Sequence, residues 1–218
     1  MNAVEAAHVV IETITTMASE GRPLMKRVLP DEDIHFWEHY PDRDARDDKT
    51  KSRWYYHVHA PGDRDPGEHG HFHLFLHLTQ MDDGVRPIAE PQKKDDDEPV
   101  PVTHLIGLAI DHSGIPCQWF ATNRWVTDEF MFSAETMIAH MNRYNVDDTA
   151  EDKTVNRFVT AMVALYRDEI AALLTERDAK LAEIGAGADN LALFEKGNDV
   201  LAHIAIDLDE KIESLDIE

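Results

Sequence analysis

Residues 52–80 read SRWYYHVHAPGDRDPGEHGHFHLFLHLTQ, and the alternation inside this stretch decides the fold. Two runs, 52–60 and 69–80, alternate with period two, and the link between them holds two Pro-Gly pairs. That combination predicts a β-hairpin with a long loop. Successive side chains on a strand point to opposite faces. His69, His71, His73, Phe75 and His77 therefore share one face of the second strand, and Gly70, Phe72, Leu74, Leu76 and Leu78 share the other. On the first strand Arg53, Tyr55, His57 and His59 share a face, opposite Trp54, Tyr56 and Val58. One side of the hairpin is an apolar surface for helices to cover. The other is a ladder of histidines.

Directly opposed residues of an antiparallel pair share a face. Pairing His59 with His69 sets His57 opposite His71, and pairing His59 with His71 sets His57 opposite His73. Both registers match odd numbers with odd. A one-residue slip would spread histidines over both faces and spoil the apolar one. Barring a bulge, five or six histidines converge on one patch.

Working outward, VTHLIGLAID (102–111) and PCQWFATNRWVT (116–127) form a second hairpin around a turn containing Gly114. The Pro-rich, charged stretch 82–101 has no expected secondary structure. Upstream, Val4–Met17 reads as an amphipathic helix presenting Val4, Ala7, His8, Ile11, Ile14 and Thr15. DEDIHFWEHYP reads as a helix ending at Pro41, with His35 and His39 one turn apart, and DRDARDDKTK as a solvated loop. Downstream, Ser133 is the expected cap of a helix, and 149–185 the longest helix, its stripe running from Val155 through Phe158, Met162 and Leu173 to Ile184. A second long helix is expected from Leu191 to Leu215, reached through GAGADN. The expectation is one α+β domain spanning 1–218: a helical segment 1–50, a four-stranded antiparallel sheet of two hairpins in 51–130, and a helical segment 131–218, the helices covering one face.

The ladder points to a metal. Six histidines fall within residues 57–77 of a chain that holds 13. Opposed Cβ atoms on paired strands lie about 4.5–5.5 Å apart, near enough for imidazoles to meet at one ion. Protonated rings so close would repel; neutral rings with lone pairs turned to a cation would not. His57, His59, His71 and His73 are the expected ligands, with His69, His77, Glu68 and His104 as further possibilities. No cysteine stands among them, so zinc, iron, copper, nickel and manganese all remain open, as one ion or two. A metal-free catalytic cluster and a plain solvated patch are the alternatives. Tyr55, Arg53, Arg124 and Asn123 are candidates for orienting a substrate beside the ion. His8, His140 and His203 read as ordinary helix-face residues.

Net charge is −22, from 43 acidic and 21 basic residues. Such a surface repels phosphate backbones and anionic lipid, so neither nucleic acid nor membrane is an expected partner. The single cysteine, Cys117, excludes an internal disulfide and thiolate metal knuckles. The start of the chain lacks a basic leader and no apolar run approaches the ~20 residues of a membrane span, so a cytoplasmic location is expected.

Two short resemblances stand beside this reading. HGHFHLF resembles the His-x-His-x-His motif of the histidine-triad nucleotide hydrolases, which would make His69, His71 and His73 the triad and His71 the nucleophile. Gly70 replaces that family's bulky apolar residue, and its preceding helix is missing. HVH at 57–59 resembles the start of a cupin metal motif, but Asp63 and Arg64 stand where its glutamate belongs. The expected function is a metal-dependent enzyme, hydrolase or oxygenase in type, acting on a small substrate. Metal storage, sensing or delivery, or metal-free phosphoester hydrolysis, is the alternative. Leu193, Phe194, Leu201, Ile204 and Leu208 of the second C-terminal helix are expected to pair with the stripe of the long helix, and a homodimer through whatever stripe remains uncovered, or else a monomer whose helices cap the sheet, is a further expectation.

Overall fold

The computed structural model describes residues 1–31, 33–92, 100–185, 193 and 197–215. It is α+β, built on one antiparallel sheet. The sheet has six strands, not four: β1 (Tyr40–Arg46), β2 (Arg53–His57), β3 (Glu68–His77), β4 (Val102–Asp111), β5 (Pro116–Thr122) and β6 (Val200–Ala205), in that spatial order. The four expected strands form the centre, and the two others are its edges. β1 occupies the expected solvated loop. Its charges and Pro41 hide its strand character, as edge strands commonly do. β6 lies inside the expected second C-terminal helix, because a short apolar run carries no period that separates strand from helix.

The helices are α1 (Ala3–Ser19), the short α2 (Met25–Val28) and α3 (Arg124–Thr127), α4 (Ala134–His140), α5 (Lys153–Leu165), α6 (Arg167–Gly185) and the short α7 (Leu208–Glu213). Asn2 and Glu5 close a capping box on α1. Ser133 caps α4 through the Thr136 N–H, as expected. The expected single long helix is divided at Tyr166 into α5 and α6, while its stripe is buried from Val155 to Leu181.

The apolar face is as expected. Trp54, Tyr56, Phe72, Leu74 and Leu76 join one core with residues of α1, α4 and α5. α1, however, turns a different face inward. Ala6, Ala7, Val10, Thr13 and Met17 are buried, and Val4, His8, Ile11 and Ile14 are exposed. Small residues at the contact let α1 lie close along α5. DEDIHFWEHYP is no helix: Trp37 has φ +69°, in the left-handed region, and breaks it. Leu193 and Leu201, expected to pack on the stripe of the long helix, are buried with its Leu181 and with Met131, although Leu201 does so from β6, and Ile204 is exposed. Phe194 and most of GAGADN lie outside the described residues. His203 is an exposed residue of β6 rather than of a helix. Among the described residues no helix is long and apolar enough to cross a membrane.

Candidate metal centre

β2 and β3 pair with His57 opposite His71 and Tyr55 opposite His73. Odd meets odd, and the rings converge. His57 Nε2 lies 2.7 Å from His71 Nε2 and 3.0 Å from His59 Nε2, and His71 Nε2 lies 3.1 Å from His73 Nε2. The ligand atoms of His57, His71 and His73 all fall within 4.8 Å of one another, and these three rings are buried. A tetrahedral ion with arms of about 2.0–2.1 Å sets its ligand nitrogens about 3.3 Å apart. The neighbouring pairs His57–His71 and His71–His73 are near that spacing, while His59 touches the group through His57 and falls outside the set of three. His59 lies just past the end of β2, with its ring edge-on to Trp37 at 4.1 Å and its Nδ1 buried without a hydrogen-bond partner among the described residues.

The outward nitrogens show why the inward ones are available. His71 Nδ1–H donates to Glu68 Oε1 at 2.5 Å. His73 Nδ1 lies 2.8 Å from His104 Nε2, and His104 Nδ1 3.2 Å from Thr122 Oγ1, so in the tautomer that donates outward along this chain the inner nitrogen of His73 keeps its lone pair. An imidazole that gives its one N–H outward keeps a lone pair inward. A carboxylate or another acceptor behind each ligating ring is the arrangement that metal histidines use.

Protons do not neutralise these lone pairs. Burial and then neighbouring cationic groups hold His71 and His73 well below the usual imidazole range. Burial likewise pushes His57 down to about 3, His59 to about 4 and His104 to about 3. Glu68, mostly desolvated, has its carboxyl raised, with the Arg64 guanidinium opposing that rise.

Two bulges decide which residues belong to the cluster. The β3–β4 register shifts between Glu68 and Gly70, which breaks the expected ladder at its first rung. His69 turns instead to the Tyr56 hydroxyl, 2.8 Å from its Nδ1, and Glu68 takes the place behind His71. The second shift lies between Leu74 and Phe75. Without it His104 would face the apolar core; with it His104 pairs with Phe75 and reaches His73. His77 lies at the end of β3, bonded to Thr79, away from the cluster.

The cluster floors an open cavity of about 490 Å³. Trp37, Phe120 and Trp125 supply aromatic walls, and Arg64 and Thr122 supply polar groups. Gly107 makes room for Phe120: a Cβ there would lie 2.2 Å from its ring. That ring rests 4.9 Å from His71. Of the four residues expected to orient a substrate, only Tyr55 lines this cavity, stacked on His39 at 3.6 Å. Arg53 instead reaches Asp44 at 3.5 Å. Asn123 is not in a strand; it caps α3, and Arg124 turns to Asp128 and the Glu90 carbonyl, in a small pocket on the far side of His104. Sequence reasoning missed Arg64, Trp37 and the placing of His39 at this cavity. Arg64 had one signal, a lone cation in the acidic loop joining the two histidine strands. His35 is exposed and remote from the triad, and His140 is a satisfied core residue between the Thr136 carbonyl and the Asp82 N–H. Cys117 is half-buried and its thiol is pushed up to about 11 by burial.

The chain belongs to a family defined by a domain of unknown function, DUF6969, whose family model matches residues 4–206. No curated protein and no solved structure matches it.

Proposed function

We propose that this protein is a histidine-ligated metalloenzyme in which His57, His71 and His73 hold one divalent first-row transition ion. One observation carries the reading. Three buried imidazoles bring their ligand nitrogens within 4.8 Å of one another, while the outward nitrogen of His71 bonds to Glu68 and that of His73 to His104. Such a cluster is costly empty, because buried lone pairs without a donor forfeit their hydrogen bonds. A cation removes that cost. Neutral imidazoles without thiolate suit zinc, iron, copper, nickel or manganese.

The cavity favours an enzyme over a store. A storage site has no use for aromatic walls and a guanidinium beside the ion, whereas a small substrate does. The bound ion would supply Lewis acidity and a nucleophile at neutral pH. The chain's own part is to hold the ligand tautomers through Glu68 and His104 and to shield the site with Phe120 and Trp37. His59, on the loop beyond β2, is the fourth nitrogen and the one able to give way to substrate. Metal-free attack by a histidine is disfavoured, because His71 is buried and hemmed between His57 and His73.

Elemental analysis of untagged protein tests the reading, together with the melting-temperature shift on adding zinc. One equivalent of metal and a rise are expected, both lost in the His57→Ala/His73→Ala variant and kept in His35→Ala. Metal-free protein with no zinc response, or equal losses in the two variants, would refute it.

A further inference from the structure

Resting on that metal reading, we infer that the cavity takes a small planar carboxylate, its anionic end held by Arg64 and its flat body by Trp37 and Trp125. Arg64 sits on the loop between β2 and β3, with its side chain 16% exposed. Its carbon centre lies 5.0 Å over the Phe120 ring, which itself rests against His71. The guanidinium lines the same cavity as His57, His59, His71 and His73.

Its five N–H groups are poorly used. Glu68 and Asp199 pair with Nε and one terminal nitrogen only loosely, at 3.7 and 3.5 Å, and among the described residues no contact of the other terminal nitrogen is shorter. The other interior arginines differ. Arg27 bonds to Asp152 and Glu20, and Arg177 to Asp178 and the Phe132 carbonyl. A guanidinium held this loosely beside a cavity can present its fork to the two oxygens of a carboxylate. Beside a divalent ion, a second positive charge also favours an anionic ligand over a neutral one. Two acids line the cavity, Asp63 and Asp199, but both are exposed and screened by water, while Arg64 faces inward.

The walls select shape. Trp37 holds a left-handed backbone at the mouth and keeps 56% of its surface exposed. Backbone strain on a bulky residue is retained where the side chain is needed in that place. Two indoles and a phenyl ring around a pocket of about 490 Å³ suit a flat unsaturated body rather than a branched or polyhydroxylated one.

The test is calorimetric titration of the zinc-loaded full chain with benzoate, cinnamate, acetate and benzamide. The two aromatic acids should bind, acetate more weakly, and benzamide not detectably. Arg64→Gln should weaken benzoate at least about tenfold, with Arg64→Lys in between, because a point charge cannot replace the fork. Trp37→Ala should weaken benzoate and leave acetate unchanged. Zinc affinity is measured on the same variants so that benzoate is compared at full zinc occupancy, since Arg64 pairs with Glu68 and Trp37 packs on His59. Zinc uptake without binding of either aromatic acid, benzamide as tight as benzoate, or benzoate affinity indifferent to Arg64→Gln would overturn the inference. Failure of the wild-type chain to take zinc would instead overturn the metal reading itself.

Discussion

The two faces of the central sheet are built from the same strands and obey opposite physics. On one face Trp54, Phe72, Leu74 and Leu76 meet helices, and the Trp54 indole N–H donates to Asn156 Oδ1. On the other, His57, His71 and His73 are also buried, yet their inner nitrogens meet other imidazoles, one another's and that of His59. A small apolar cluster of Tyr55, Phe75 and Val102 flanks them. The first face stabilises the fold by removing hydrocarbon from water. The second is desolvated at a cost that a bound cation would offset.

That contrast can be broken most directly from the apolar side. Phe72→Ala should cost about 3–5 kcal/mol in denaturant unfolding, the usual loss for a core aromatic. The metal-free His57→Ala/His73→Ala variant should lose clearly less, because it removes desolvated polar groups along with their contacts. The reverse order would mean that the histidine face supports the fold.

Zinc sharpens the comparison next. At a free concentration a hundred times Kd it should add about 2.7 kcal/mol to the wild type and nothing to the double-alanine variant. Phe72→Ala should keep the full increment wherever it still folds.

A smaller effect separates the residues behind the ligands from their neighbours. Glu68→Gln should weaken metal about 10–100-fold, the usual effect of disturbing the group behind a ligating histidine. His69→Ala, one residue along, should leave affinity unchanged. Competition with a chelating dye measures both, and equal losses would place His69 back on the histidine face.

The gentlest test is pH. His57, His59 and His104 titrate near 3, 4 and 3 in the fold against about 6.5 unfolded, so the unfolded chain binds more protons between those limits. Stability of the metal-free protein is therefore full above about 6.5 and falls as pH drops toward 4. Glu129, pushed up to about 8 by burial, has the opposite slope between about 4.5 and 8, and partly offsets the histidines in the upper part of that window. Denaturation midpoints at pH 7, 6, 5 and 4 should decline. A flat or rising series would show that these rings are already protonated in the fold.

What could be read directly from residues 52–80 was the parity of the strands: which residues meet the helices, which face away, and that His57 and His71 share a side. Alternation is fixed by covalent geometry within one strand and needs no partner to be true. The ends of that pattern belong to the tertiary structure. A bulge exists only where two strands pair, so nothing local announced that Glu68 would replace His69 behind His71, or that His104 would be carried from the core face to His73. The edge strands β1 and β6 likewise exist because a neighbour offers unpaired backbone groups, not because charged DRDAR or apolar VLAHIA prefers to be extended. Arg64 and Trp37 reached the cavity by the path of their loops, and only the folded chain, closing those loops over the histidines, set a cation and an indole beside them.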